Sequence, residues 1–404
     1  MGFRNIMISS NMKLRIQDQQ LVVTAGDEVH IPLEDINCIL IENQSVTLSA
    51  YLLQKVADSG IALYVCDEKH LPNAVLLPMV RHSRHFKILK YQMETGKPLQ
   101  KRLWQQVVIQ KIRNQALCLQ LLELDGHEEL LRMCKEVQSG DRTHVEAKAA
   151  AYYFRCMYGL GFSRGNDHII NSALNYGYAI IRGMIARSII CYGLEPSIGI
   201  FHHSELNNYN LADDMIEPFR PLVDLYVSSH FDISEIDSTL TPEMKKGLFG
   251  IINFDMSVKG DMRIVSNCID MLIASYSSAL QGNRTELDLP ELIQLQVHSY
   301  EYMRIVVFFD LPVVTAKEKK AAAKFRKFLI KDGYNMMQWS VYSRICNGTD
   351  SVAMHRQRLK QNLPENGSVR ALTLTEKQFE SIDILLGEKT FADSPESTEL
   401  INIF

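Results

Sequence analysis

The sequence predicts a multidomain protein with an N-terminal β domain, an all-α domain and a C-terminal ferredoxin-like α+β domain. Three observations carry this prediction: strand-like runs up to about residue 76, helical periodicity from there to about residue 296, and an alternation of strand and helix signals after Met303. A chain of 404 residues is also too long for one hydrophobic core, so two or three domains are expected.

The first 76 residues contain short apolar or alternating runs separated by polar turns: LRIQ, LVVT, INCILIE and IALYVC. Runs of this length and composition are typical of strands. We therefore predict a β domain over residues 1–76.

Residues 77–296 carry apolar side chains spaced three and four apart, as in WQQVVIQKIRNQALCLQLLEL, which predicts helices. The most apolar stretch, residues 173–194, is interrupted by Asn175, Arg182 and Arg187, so no membrane span is predicted. The start lacks a signal peptide, and the eight cysteines form no CxxC pair. These features predict a soluble cytoplasmic protein without a membrane partner.

The first strand-like run within residues 297–390 is MRIVVFFD, which begins at Met303 and ends at Asp310. Thr315 and Glu318 form a capping-box pair that predicts a helix to about Asp332. A strand at MMQWSVYS, a helix over residues 352–363 and a strand at SVRALTLT follow. This order predicts a ferredoxin-like unit joined without a linker, as if two proteins were fused. The tail, residues 391–404, either adds a strand to another sheet or frays.

The formal charge of −4 argues against a strongly basic protein, but the local charge is different. Between residues 81 and 113 nine lysine and arginine residues face one acid, and four of them form a basic stripe at every third position: Arg81, Arg84, Lys87 and Lys90. A second basic cluster includes Lys320, Lys324 and Lys327. Such patches either bind a phosphate backbone or are solvated helix faces.

Candidate metal ligands lie in the all-α domain. Glu146 precedes a run of small residues, and His202 and His203 precede Asp214 and Glu217, which are three apart and would share a helical face. Carboxylates with a histidine suit Mg²⁺ or Mn²⁺, which can activate a phosphodiester. The alternative is a capped helix in which a carboxylate pairs with Arg220.

These motifs resemble a known family. Glu146 with its small and aromatic neighbours, LNYGY at residues 174–178, and His202 followed by LADDMIEPFRP are similar to CRISPR-associated protein one, the integrase that captures spacers, in its type II versions. The resemblance spans residues 1 to about 295. It implies an N-terminal β domain that dimerises, followed by a helical catalytic domain.

The resemblance also implies roles for single residues. Glu146, His202 and Glu217 match the family's catalytic metal ligands, and the 15-residue step back from Glu217 favours His202 over His203. Asp214 matches a further acidic position that supports or supplements the ligands. Asn175 and Tyr176 lie in a motif of the family near this site, where they either support the ligands or pack within the helix. Separately from the resemblance, Arg164 and Arg220 either bind DNA or orient the carboxylates.

The C-terminal part resembles CRISPR-associated protein two, the small ferredoxin-like partner, through MRIVVFFDLP, FRKFL, MMQWSVYS and LTLTEKQF. The family's characteristic aspartate falls on Asp310. It is either a metal ligand, as in members assigned nuclease activity, or a turn-forming residue at the end of a strand.

Together the two resemblances imply a CRISPR adaptation integrase. In such an enzyme, the 3′-hydroxyl ends of a short DNA duplex (the prespacer) would attack phosphodiesters of the CRISPR repeat. Mg²⁺ or Mn²⁺ would assist this reaction, while the C-terminal domain bridges the DNA. They also imply a homo-oligomer through both kinds of domain, and allow other CRISPR adaptation or effector proteins as partners. Two alternatives stay open: a metal-dependent DNA or RNA endonuclease acting by hydrolysis, and a noncatalytic DNA-binding scaffold.

Overall fold

The structure is a computed structural model that describes residues 2–24, 28–68, 70–78, 84–166, 168–232, 239–386 and 401–404. Its residues group into two compact units. The first unit contains residues 1–68 and 299–404, and the second contains residues 69–298.

The N-terminal part of the first unit is rich in strands, as the sequence predicts. Its elements are β1 (Arg4–Ile8), β2 (Lys13–Gln17), β3 (Gln20–Thr24), β4 (Glu28–Pro32), β5 (Ile36–Ile41), β6 (Thr47–Leu48), α1 (Ala50–Ser59) and β7 (Ala62–Cys66). One sheet has the order β4-β3-β2-β6, and a second contains β1, β5 and β7 in parallel. Strands β1 and β5 are buried along their whole length, which explains the nearly continuous apolar sequence of β5, INCILI.

The second unit is mainly helical. Its elements are β8 (Pro72–Leu76), α2 (His85–Glu94), α3 (Lys97–Leu121), α4 (His127–Cys134), α5 (Val145–Tyr158), α6 (Ile169–Cys191), α7 (Asn210–Met215), α8 (Arg220–His230), α9 (Pro242–Gly250), β9 (Asp255–Val258), β10 (Asp261–Ile264) and α10 (Val265–Leu280). Helices α3 and α6 run through its centre, and each is buried on several sides. Within the described residues, no helix is both long and apolar enough to cross a membrane.

The prediction that this region is entirely helical is wrong in one detail. Strands β9 and β10 form an antiparallel hairpin, and their turn contains Lys259 and Gly260, both with positive φ angles of 54° and 88°. A two-residue turn of this kind matches the twist of paired strands. The dipeptide Lys259-Gly260 is a short turn signal that lies between longer helical patterns in the sequence.

The C-terminal part of the first unit is a small α+β domain. Its elements are β11 (Met303–Asp310), α11 (Ala316–Lys331), β12 (Asn335–Gln338), β13 (Val341–Cys346), α12 (Thr349–Gln361), β14 (Ser368–Thr375), α13 (Glu376–Glu380) and β15 (Ile401–Ile403). The sheet has the order β12-β13-β11-β14 with every pair antiparallel. Its core contains Phe309, Phe325 and Tyr342.

Three expectations for this domain can be compared with the structure. The capping box of Thr315 and Glu318 is confirmed at the start of α11. The single strand expected at MMQWSVYS is wrong, because this stretch is the hairpin of β12 and β13. Of the tail, residues 391–400 lie outside the described residues; its end adds a strand, since β15 pairs in parallel with β1 and Phe404 O accepts hydrogen bonds from the backbone N–H groups of Ser9 and Ser10.

A buried ion network connects the two parts of the first unit. The Arg344 side chain is 1% exposed, and its guanidinium donates to both Asp35 carboxylate oxygens at 2.6 and 2.7 Å. It also donates to Glu34 Oε1 at 3.0 Å and to Asp332 O at 2.9 Å. Gly333 fits beside this network because a Cβ atom there would lie 2.7 Å from Pro32 Cγ. The C-terminal domain is therefore fixed to the β domain of its own chain.

Candidate active site

Glu146 lies in the first turn of α5. The Asp141 carboxylate accepts hydrogen bonds from the backbone N–H groups of Val145 at 2.9 Å and Glu146 at 3.1 Å, which caps the helix. The capped end orients the Glu146 side chain toward α3. The alanines that follow Glu146 are small, so α5 can pack closely against α3.

Lys111, on α3, lies between the two predicted glutamate ligands. Its Nζ atom is 2.6 Å from Glu146 Oε1 and 2.5 Å from Glu217 Oε2. The lysine side chain is buried, and burial by itself would lower its pKa, but the charges of Glu217 and Glu146 outweigh burial and raise it. Glu146 and Glu217, 71 positions apart in the sequence, therefore face one shared cation.

Glu217 begins a short 3₁₀ turn, Glu217–Phe219, directly after α7. It does not share a helical face with Asp214 as predicted, because α7 ends at Met215. Burial would raise the pKa of Glu217, but Arg220 and Lys111 lower it to about 2. Arg220 Nε donates to Glu217 Oε1 at 2.9 Å, which is the pairing that the alternative interpretation of the sequence anticipated. The buried Oε2 atom of Glu217 is paired with the Lys111 ammonium at 2.5 Å.

His202 is held by Asp214. The fully buried Asp214 carboxylate accepts hydrogen bonds from the backbone N–H groups of Phe201 at 3.0 Å and His202 at 3.2 Å, and its Oδ1 lies 2.7 Å from His202 Nδ1. This hydrogen bond raises the pKa of His202. His202 also meets the edge of Trp104, whereas the neighbouring His203 is exposed. Of the two histidines, His202 is thus the one with a fixed orientation.

Gly199 is a residue of this site that the sequence reasoning did not find. A Cβ atom at this position would lie 2.3 Å from His202 O and 2.7 Å from Asp214 Oδ2. The close approach of the loop to Asp214 therefore requires glycine. The only signal in the sequence is a glycine shortly before the HH pair.

The structure does not gather Glu146, His202 and Glu217 into one compact ligand cluster. Within the described part of the chain, the three-residue group whose ligand atoms all lie within 4.8 Å is Glu34, Asp332 and His355. That group belongs to the ion network of the first unit, where Arg344 and Arg358 already neutralise its carboxylates. We therefore interpret it as an ion network and not as a metal site.

The donor set of the predicted site nevertheless fits a divalent metal. Two carboxylates, Glu146 and Glu217, face one cation position, which Lys111 Nζ occupies. Carboxylate oxygens with an imidazole nitrogen suit Mg²⁺ or Mn²⁺.

A second layer of side chains lies behind Arg220. The guanidinium of Arg220 lies over the Tyr178 ring, 4.5 Å from its centroid, and Tyr178 donates a hydrogen bond to Asp224. Tyr153 donates to the same carboxylate at 3.0 Å. Burial raises the pKa of Asp224 to about 6, despite these two donors. Asp224 thus fixes the Tyr178 ring by a hydrogen bond, and the ring in turn packs against the Arg220 guanidinium that contacts Glu217.

The other predicted residues around this site are also located. Arg164 donates to Asn171 Oδ1 at 2.6 Å and to Asn175 Oδ1 at 2.8 Å, and lies over the Tyr178 ring. Asn175 is exposed, whereas Tyr176 is buried in α6. Asn175 is therefore accessible to a ligand, and Tyr176 packs inside the unit.

The basic stripe is only partly visible, because Arg81 lies outside the described residues. Lys87 and Lys90 are exposed on α2, and Arg84 is exposed directly before it. Arg84 and Lys87 line a groove of about 460 Å³ with Tyr192 and Ser277, among other residues. Lys90 Nζ lies 3.8 Å from Glu94, so it is partly neutralised. Part of the basic stripe therefore lines a concave surface.

The second basic cluster and Asp310 lie in the C-terminal domain. Lys320, Lys324 and Lys327 are exposed on α11, spaced four and three apart on one face. Asp310 is exposed at the end of β11, and among described residues it belongs to no group of three metal-ligating side chains.

Two models of known protein families match the chain. A family model described as CRISPR associated protein Cas1 matches residues 6–247, which is more than half of the chain, and one described as CRISPR associated protein Cas2 matches residues 303–382. The chain belongs to the Cas1 family of CRISPR-associated proteins. More particularly, it is a fusion of a Cas1 domain with a Cas2 domain, which confirms the resemblance found for both parts of the sequence.

Individual relatives agree with this assignment. The chain is 40% identical over 304 residues to a CRISPR-associated endonuclease Cas1 from Neisseria meningitidis serogroup C, covering 74% of this chain and 100% of that protein, which supports the type II-like assignment. It is 52% identical over 102 residues to a CRISPR-associated endoribonuclease Cas2 from Acidovorax ebreus, covering 25% of this chain and 100% of that protein.

Solved structures share the fold of the Cas1 part. A casposase bound to integration product superposes with a TM-score of 0.60 at 19% identity, covering 74% of this chain and 96% of that one. A Cas1 protein from Thermotoga maritima gives a TM-score of 0.56 at 17% identity, covering 70% and 98%. At these identities the likeness concerns the fold alone.

Proposed function

We propose that this protein is a CRISPR adaptation integrase. It captures short duplex DNA and joins each 3′-hydroxyl to a phosphodiester of the CRISPR repeat, without a covalent enzyme intermediate. The observation that carries the proposal is the pair of carboxylates, Glu146 and Glu217, that face one cation inside a Cas1 domain.

Glu146, Glu217 and His202 are the residues that would hold the metal. Because His202 Nδ1 is bound to Asp214, the nitrogen that would bind a metal is Nε2. A bound Mg²⁺ or Mn²⁺ would polarise the phosphodiester and stabilise the attacking and leaving oxygens. Arg220 holds the Glu217 carboxylate in place, and we assign it to this orienting role rather than to DNA.

DNA would lie along the two basic surfaces. Arg84, Lys87 and Lys90 line α2, and phosphate contacts from such side chains position a duplex without reading its sequence. Arg164, fixed by Asn171 and Asn175, adds a cation close to Tyr178 in the second layer behind Arg220. Arg81 belongs to the same proposal by sequence only.

The Cas2 domain, with the ferredoxin-like fold that we propose for it, would act as a scaffold that bridges the DNA through Lys320, Lys324 and Lys327. Its Asp310 is exposed and among the described residues belongs to no group of three metal-ligating side chains, so we propose it as the weaker metal candidate. We further propose homo-oligomers formed through the β domain and the Cas2 domain. The functional divisions at residues 76, 296 and 390 remain a prediction.

Neutralising the α11 cluster should change how binding depends on salt. Replacing Lys320, Lys324 and Lys327 together by glutamine is expected to lower the slope of log affinity against log salt by about 3, because each lost phosphate contact removes about one released counterion. Fluorescence anisotropy with a short duplex at several salt concentrations measures the slope. The control replaces three exposed lysines elsewhere in the same unit, Lys13, Lys360 and Lys377, and should leave it unchanged.

Removing the charge that orients His202 should weaken strand transfer. Asp214→Asn is expected to lower the rate by about 10- to 100-fold and to raise the Mn²⁺ concentration needed for half-maximal activity, as for other carboxylates that orient a ligating histidine. The matched control is Asp213→Asn, because Asp213 pairs with Arg182 at 2.6 Å instead of with His202. Equal losses in the two variants would contradict the orienting role.

One assay separates the proposal from its alternatives. Wild-type protein is incubated with a labelled duplex and a plasmid carrying the repeat, with Mn²⁺ or with EDTA. The integrase predicts joined products that require Mn²⁺. Shortened fragments without joined products would instead indicate the endonuclease suggested by the names of the relatives, and binding without any product would indicate a noncatalytic scaffold.

A further inference from the structure

We propose that Lys111 is a resident counter-ion, whose ammonium group occupies the cation position between Glu146 and Glu217 until a divalent metal displaces it. This inference rests on the proposed metal site and deepens it.

The geometry of Lys111 supports this role. Its ammonium lies 2.6 Å from the Glu146 carboxylate and 2.5 Å from the Glu217 carboxylate. Both predicted ligands therefore contact the same cation position. A divalent ion held by these oxygens would need that point. The ammonium and the metal therefore exclude each other there, both by volume and by charge repulsion.

Burial explains why a counter-ion is needed. The side chains of Lys111 and Glu217 are only 10% and 7% exposed, and Glu146 is 22% exposed. Two carboxylates held together away from water repel each other and lose solvation when no cation is present. Arg220 forms an ion pair with Glu217, whereas among the described residues Lys111 is the cation that contacts both carboxylates.

The location of Lys111 on α3 suits a side chain that can move. It follows Val107 and Val108 by one turn on a helix whose backbone is anchored by many buried neighbours. The backbone can thus stay in place while the flexible four-carbon side chain of Lys111 swings away. Displacement requires no change of fold.

Two consequences distinguish a resident counter-ion from a lysine that helps to bind the metal. Removing it should destabilise the metal-free protein, because the glutamates lose their neutralising partner. The same change should tighten metal binding, because the metal no longer competes with an ammonium. A lysine that merely arranges the carboxylates for the metal would give the opposite change in affinity.

The test measures Mn²⁺ binding to the full chain by electron paramagnetic resonance, together with thermal unfolding in EDTA and in Mn²⁺. For Lys111→Met we expect a lower Tm in EDTA, a larger rise of Tm on adding Mn²⁺, and a Kd for Mn²⁺ at least about tenfold lower than that of the wild type. Lys111→Gln, which is neutral but can still donate hydrogen bonds, should show the same direction if the methionine variant does not fold. Lys245→Met, at another buried lysine of the same unit, is the control and should leave the Kd unchanged.

A Kd that is unchanged or higher in both Lys111 variants would overturn the inference. The metal site itself is checked separately by Glu146→Gln, which should abolish tight Mn²⁺ binding. If the wild type binds no Mn²⁺, or if Glu146→Gln binds it equally well, the proposed metal site fails. If binding depends on Glu146 but not on Lys111, only the counter-ion role fails.

Discussion

Glu146→Gln should abolish joined products while leaving duplex binding intact. The substitution keeps the size of the side chain but removes one of the two carboxylate charges that face the shared cation position. Losing a residue that only orients a metal ligand already costs about 10- to 100-fold, so loss of a ligand should exceed about 100-fold. The rate of strand transfer under single-turnover conditions measures this effect, and anisotropy measures binding.

The control for this variant is Glu205→Gln, because Glu205 is an exposed carboxylate in the segment between His202 and Asp214. It should transfer strands at the wild-type rate. Strand transfer by Glu146→Gln within about tenfold of the wild type would show that the site lies elsewhere.

Arg344→Met should produce the largest loss of stability. The variant leaves Asp35, which is 5% exposed, as a buried carboxylate without its two guanidinium donors. Removing one partner of a buried ion pair costs about 3–5 kcal/mol, because the remaining charge is neither solvated nor paired. Denaturant unfolding measures the free energy, and hydrogen exchange should show the loss in strands β5 and β13, which lie next to the pair.

Arg356→Met is the matched control, because Arg356 is an exposed arginine on α12 of the same domain. Its cost should stay within about 0.5 kcal/mol. Combining Arg344→Met with Asp35→Asn should cost less than the sum of the two single changes, because the second change removes the charge that the first one strands. Additive costs would contradict the interpretation of Arg344 and Asp35 as a coupled pair.

Local signals predicted local structure well. The Thr315 and Glu318 capping box forms as expected because both partners lie within one turn, and the buried strand β5 forms where the run INCILIE indicates a strand. The sequence predicts one strand where β12 and β13 form a hairpin, because the turn between Gln338 and Val341 carries Trp339 and Ser340, without the glycine or asparagine that usually marks a tight turn.

Long-range contacts could not be predicted in the same way. In the sequence, Lys111 is one of the nine basic residues between positions 81 and 113, and nothing adjacent to it shows that it faces Glu146 and Glu217. Its position within the apolar face of α3 was the available signal, because an unpaired lysine is rarely buried. The docking of Arg344 on Asp35, 309 positions away, left no local signal at all.

The central claim is tested most directly by sequencing the junctions formed between the duplex and a plasmid that carries the repeat. The integrase predicts junctions that join the 3′ ends of the duplex to the borders of the repeat, that require Mn²⁺ or Mg²⁺, and that disappear in Glu146→Gln. Junctions that persist in this variant, or intact plasmid and trimmed duplexes without any junctions in the wild type, would contradict it.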